Sequence, residues 1–303
     1  MDPVDSRLEG GAPIALKHAW RLAIAASLTL TLRAQAPDGS DLVGALERIG
    51  EHVAEYYARA RAIVCVETVV LQPLNANFSF DGVRRELKYE LRVEWDPPDA
   101  DRPGEARVVR QLLTIDGRPP RPGAEPGCMD PKPVSPEPLA LLLPDERREY
   151  AFTLSGKGKS DGRPSVLLDY RSVSTKPAEI LWHDNCVSID LPGGRTRGRV
   201  WVDAATSDVL RLDEHLVGLF DFKVPREHTI PGGPEWMTVE RADTSIHYRP
   251  VAFHDPDETM MLPVSIESLT VIRNAGVPQL RTTQRFSDYR RFVTGGRVVR
   301  DDD

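Results

Sequence analysis

Cysteine is scarce in this 303-residue chain, an excess of positive charge is absent, and no apolar run reaches the length of a membrane span. Three cysteines, Cys65, Cys128 and Cys186, allow one bridge and one leftover thiol, which excludes a small disulfide-stapled scaffold. Asp and Glu outnumber Lys and Arg by 46 to 39, for a formal net charge of -7. That balance argues against nucleic acid as the partner, since phosphate backbones demand a positive surface, and leaves room only for a local basic patch. The apolar run Leu22–Leu32 falls short of the roughly 20 residues needed to cross a bilayer as a helix.

The common catalytic signatures are missing too. No Gly-x-Ser-x-Gly elbow and no His-Glu-x-x-His helix occurs, so the commonest serine and zinc hydrolases are not indicated. Gly156-Lys157-Gly158-Lys159-Ser160 imitates part of a phosphate loop, but its required first glycine would fall at Thr153, and the segment is expected to be a solvated turn. His254-Asp255-Pro256-Asp257-Glu258 gathers an imidazole and three carboxylates, yet its spacing matches no established cation loop; an acidic turn is the preferred expectation. His183-Asp184 and Glu214-His215 serve acid–base chemistry only if the fold brings a nucleophile to them. Cys65 is a poor candidate, because Val64 and Val66 offer it neither base nor cation. No catalytic residue, metal site or cofactor is therefore assigned.

What is present begins at the N-terminus. Lys17, His18 and Arg21 precede the apolar run, Arg33-Ala34-Gln35-Ala36 follows it, and no acid occurs from Ala12 to Gln35. This is the layout of an export signal, with a buried or amphipathic helix as the competing interpretation. Ala36 has the right size for a peptidase, but Pro37 obstructs a cut there, and a cut after Ala34 is the second choice. Residues 1–36 are accordingly expected to be a signal peptide with an N-terminal extension, and 37–303 a single domain that is soluble, periplasmic or secreted, and not integral to a membrane after processing. In that oxidising space Cys128 and Cys186, both in loop-like contexts, are expected to pair; three unpaired thiols are the alternative.

Leu42, Leu46, Ile49, Val53, Tyr56 and Ala60 recur at helical spacing after Ser40, a capping candidate. The grammar then changes to a two-residue period over 63–71, 83–95 and 107–115, and again over 149–155, 165–172 and 187–191, with a short helix at 139–143 between the two groups. Asp96–Gly104 is expected to be a hairpin connection. The clearest hairpin joins Arg197–Asp203 to Val209–Leu216 through Ala204–Asp208, and strands at 239–249, 264–273 and 280–292 close the chain. The 26 prolines punctuate these segments. The expected fold is mainly β (α+β).

One helix followed by antiparallel strands, with a hairpin of the form Arg199-Val200-Trp201-Val202-Asp203, a short turn and Val209-Leu210-Arg211-Leu212, resembles the periplasmic lipoprotein-carrier (LolA/RseB-like) superfamily. Met261-Leu262-Pro263-Val264 and Phe286-Ser287-Asp288-Tyr289-Arg290-Arg291-Phe292 resemble uncharacterised secreted bacterial proteins of the same layout. The resemblance implies a curved, incompletely closed antiparallel sheet wrapping the N-terminal helix. It also implies non-catalytic carriage of an apolar ligand, a lipid or lipidated polypeptide; the alternatives are an envelope protein-interaction or stress-sensing module and, third, an enzyme. Phe220, Phe222, Trp236 and Met237 flank Pro231-Gly232-Gly233-Pro234, where a half-open sheet can present an apolar mouth, and they are the candidate ligand contacts, with core packing as their competing role.

Overall fold

The apolar stripe of the first helical segment forms α1 (Gly39–Arg59), with Asp41 in its first turn and Arg59 in its last, both favourable to the helix dipole. The helix begins at Gly39, one residue before Ser40. Ile49 and Val53 are buried on one face, with Leu42, Ala45, Leu46, Tyr56 and Tyr57 packed beside them. Each fully buried aliphatic contributes about 1.5–3 kcal/mol. The computed structural model describes residues 39–60, 63–95, 106–122, 137–183, 186–229, 231–254 and 257–291. The signal segment 1–36, the Asp96–Gly104 connection, Cys128 and the Asp301–Asp303 tail lie outside them.

Among the described residues thirteen strands follow: β1 (Ile63–Pro73), β2 (Arg85–Trp95), β3 (Ala106–Ile115), β4 (Tyr150–Ser160), β5 (Arg163–Ser172), β6 (Glu179–His183), β7 (Cys186–Asp190), β8 (Thr196–Asp203), β9 (Val209–Leu216), β10 (Phe220–Lys223), β11 (Trp236–His254), β12 (Asp257–Arg273) and β13 (Gln279–Arg291). The expected helix at 139–143 is a 3-10 helix, Glu137–Leu142. Eleven strands form one antiparallel sheet in the order β3-β2-β1-β13-β12-β11-β9-β8-β5-β4, with β10 added to β11; β6 and β7 make a separate hairpin. The first and last of the described strands thus lie side by side inside the sheet, third and fourth from the β3 edge.

Register explains the core. Leu154, Leu168, Val200, Leu212, Ile246, Ile266, Gln284, Val69, Leu87 and Ile115 are successive cross-strand partners from β4 to β3, an almost wholly apolar row crossing the sheet. A flat sheet of this order would be about 43 Å wide. Yet Leu154 of β4 and Val108 of β3 both pack on the cluster that holds Ile49, Val53, Leu139 and Leu142. The sheet therefore curves around α1 and the 3-10 helix, and its two ends, β3 and β4, do not pair. The described residues all belong to one compact unit, Pro37–Asp303, and no helix among them is long and apolar enough to cross a membrane.

Two local expectations are corrected. Gly156–Ser160 is not a turn but the end of β4, and the chain reverses at Asp161-Gly162, both at positive φ, the dipeptide suited to a tight hairpin. β11 and β12 run together from Trp236 to Arg273 through Pro250 and Pro263, because the outer part of this ribbon has no second neighbour that needs the missing N–H.

Candidate functional site

The four residues singled out in the sequence are divided by the strand period. Phe222 and Met237 are direct partners and Phe220 opposes Val239, so these residues share one face of the β10–β11 pair. Phe220 and Phe222 stack at 6.1 Å, Phe222 meets Trp182 at 6.5 Å, and Trp182 stacks on His228 at 4.9 Å. Phe222 is buried within this aromatic corner. Trp236, paired with Lys223, points the other way and is 53% exposed.

A groove of about 460 Å³ opens between α1 and the β11–β12 ribbon, at the mouth of the sheet. His52, Glu55, Tyr56 and Arg59, three or four residues apart, bring one helical face to it, and Pro250, Thr259, Met260 and Met261 form the opposite wall. Met260 is anchored below in a cluster with Ala60, Ile63, Phe253 and Leu262. The rim is charged but internally balanced. Arg59 donates to Glu258 at 3.1 Å and to the Thr259 carbonyl at 3.0 Å, Arg163 pairs with Asp203 at 2.8 Å, and His52 lies 3.9 Å from Asp208. Glu258 is also paired with Arg291, so the carboxylate expected in an acidic turn is held by two guanidiniums. A further groove of about 280 Å³ shares Arg163 and Pro250 with this one.

Behind the mouth, burial holds thiol and phenol protons in place. Burial, reinforced by Glu67, pushes the Cys65 thiol up to about 12, which keeps it protonated. Burial also raises the phenols of Tyr56, Tyr248 and Tyr289. Glu67 is fully buried, bound by the Arg110 fork at 2.8 and 2.9 Å and by the Gln284 amide at 2.9 Å, with Arg110 over the Tyr89 ring. Glu214 and His215, adjacent in β9, face opposite sides. Burial raises the Glu214 carboxyl, which accepts from the Tyr170 hydroxyl at 3.2 Å, while His215 meets Asp243 at 2.9 Å. No group of three or more potential metal ligands occurs among the described residues.

A second groove, about 560 Å³, lies on the convex face of β5, β8 and β9. One cross-strand row there runs Asp169, Arg199, Asp213 and Ser245. Arg199 grips Asp169 at 2.5 and 2.9 Å and holds its carboxyl below the usual range; Arg211 binds Asp213 at 2.7 Å through two nitrogens, and Ser245 donates to Asp213 at 2.6 Å. Trp201 lies beneath Arg211, 4.6 Å from its ring centre. The neighbouring row is Arg171, Arg197, His215 and Asp243. The sequence had marked this hairpin for its fold alone. The signal available was the two-residue spacing of Arg197, Arg199 and Trp201 against Arg211, Asp213 and His215.

No protein-family model and no curated protein matches the chain. Solved structures similar to it include a LolA superfamily protein from Nitrosomonas europaea, 9% identical over 82% of this chain and 94% of that one, at a TM-score of 0.36. A DUF1329 family protein from Desulfovibrio piger is 10% identical over 83% and 93%, at 0.38. The MucA/MucB complex of Pseudomonas aeruginosa is 14% identical over 84% and 99%, at 0.23. At such scores nothing about ligand, partner or site follows from these likenesses.

Proposed function

We propose that this chain is a non-catalytic binding or carrier protein, periplasmic or secreted, that takes an apolar or amphiphilic ligand, a lipid or lipidated polypeptide, at the mouth of its curved sheet. The supporting observation is the 460 Å³ groove left between α1 and the β11–β12 ribbon, with Tyr56, Pro250, Met260 and Met261 as its apolar lining and a self-paired charged rim. Its volume is in the range of small-molecule sites, and methionine lining adapts to chains of differing shape. The test is uptake of a fluorescent fatty-acid analogue by delipidated protein. Saturable uptake, weakened on the order of tenfold by Met261→Trp, is expected; no uptake overturns the carrier role. Trp236→Ala in the same assay tests an alternative seat at the exposed Trp236, on the face of the β10–β11 pair opposite to Phe220, Phe222 and Met237.

A second reading, an envelope protein-interaction module, draws on the convex groove. Strand addition at β4 is a weaker route to a partner, since Lys157, Lys159 and the irregularity between Leu154 and Gly156 blunt that edge. Removal of residues 1–36 on export and a Cys128–Cys186 bridge belong to the same proposal. Cys65 is a buried free thiol, so those two cysteines are the pair available. N-terminal sequencing and non-reducing peptide mapping of exported protein test both.

A further inference from the structure

We infer that the convex groove is a binding site for an acidic polypeptide segment, with Arg171 and Arg197 receiving its carboxylates and Trp201 forming its floor. This deepens the second reading above and is independent of the mouth groove.

Arg171 and Arg197 are direct cross-strand partners on β5 and β8. Both are exposed, and neither has a carboxylate partner among the described residues. Arg197 is in turn opposite His215 on β9, so three basic side chains stand abreast before Asp243. That aspartate is already engaged by His215 and Arg241. Like charges placed directly opposite one another weaken a sheet. The contrast lies two residues along each strand, where Asp169, Arg199 and Asp213 alternate in sign and neutralise one another. An uncompensated arginine pair beside a fully compensated row is an incomplete ion network.

Carboxylates from outside complete it. Two guanidinium forks side by side offer bidentate, charge-assisted bonds to one or two carboxylates, and arginine suits planar oxyanions better than lysine. Trp201 is on the same face, two residues beyond Arg199, and gives an apolar surface for the intervening side chains. A polypeptide fits better than a lone oxyanion, because the receptors line an open groove of about 560 Å³ with an aromatic floor instead of an enclosed nest of backbone N–H groups.

The experiment is a fluorescence-anisotropy titration of the whole chain with fluorescein-labelled hexaglutamate. Saturable binding is expected, weakening with salt and at least tenfold poorer in Arg171→Gln/Arg197→Gln, while Arg281→Gln, outside the groove, leaves it unchanged. Removing a repulsive pair should keep or raise the melting temperature of the double variant; a lower one shows that the pair is compensated and overturns the premise. No binding, or binding undiminished in the double variant, overturns the site. Inorganic phosphate competing as well as the peptide at equal concentration, or phosphatidylglycerol vesicles binding through the same arginines while hexaglutamate does not, overturns the polypeptide assignment. Met261→Trp reports on the mouth groove and the Arg171→Gln/Arg197→Gln variant on the convex one, so failure of either proposal is seen separately.

Discussion

Glu67 sits on β1 with no exposure, beside Val69 and Cys65, and is tolerated because Arg110 from β3 and Gln284 from β13 both reach it. Replacing Arg110 with Met should cost about 3–5 kcal/mol in urea unfolding, since a buried carboxylate is left with one neutral donor. Glu67→Gln in the same chain should restore much of that loss. Glu214 is the converse case. Burial raises its carboxyl and the Tyr170 hydroxyl offsets this only in part, so the folded protein holds that proton more tightly than the unfolded chain does. The contribution is fully present below the unfolded value near 4.3 and is lost as pH rises through the elevated folded value, with a slope of at most about 1.4 kcal/mol per pH unit. Glu214→Gln should therefore flatten the stability profile above about pH 4.3 and leave the variant more stable than the parent at pH 7, as read by melting temperature across pH. Neither setting was legible in the sequence, where both carboxylates occupy ordinary charged positions of alternating strands. Burial of that kind depends on which distant strand arrives opposite.

At the scale of elements, hairpins with a clean two-residue period were legible, as β8 and β9 attest almost to the residue. Where proline or glycine interrupted the period, the strand was read too short: Gly156 and Gly158 in β4, Pro250 in β11 and Pro263 in β12. Gly198, inside β8, has a different role. It stands between Tyr170 on β5 and Glu214 on β9, and the tyrosine ring crosses it to reach the carboxylate. A Cβ at this position would lie 2.5 Å from the Tyr170 ring and 2.0 Å from the Asp213 carbonyl oxygen. Gly198→Ala is expected to destabilise by about 2 kcal/mol or more, measured by chemical denaturation, because backbone and ring would both have to move. The candidate site was half legible for a related reason. Phe220, Phe222 and Met237 share one face, but Trp236 is adjacent to Met237 in a strand and must face away from it. The mouth and convex grooves needed register, which periodicity does not supply.

For the whole molecule, the order of strands was the least legible feature. The series of sequential strands in the chain suggests a meander, whereas β1 is inserted between β2 and β13. Deleting the chain from Gln279 onward should for this reason remove an internal joint of the sheet and not an edge. The expected outcome is loss of the cooperative unfolding transition followed by circular dichroism; a truncated protein that still unfolds cooperatively would mean that the two halves of the sheet are independent.

The meeting of β1 with β13 also sets a schedule for biosynthesis. Glu67 and its partner Gln284 are 217 residues apart, so at 5–20 residues per second the ribosome releases the first about 10–45 s before the second. Throughout that interval β1 has a free edge rich in valine, the kind of strand on which nascent chains stick to one another. A carboxylate in the centre of such a strand disfavours its addition to another chain's sheet, and in the folded protein that same carboxylate is bound by Arg110 and Gln284.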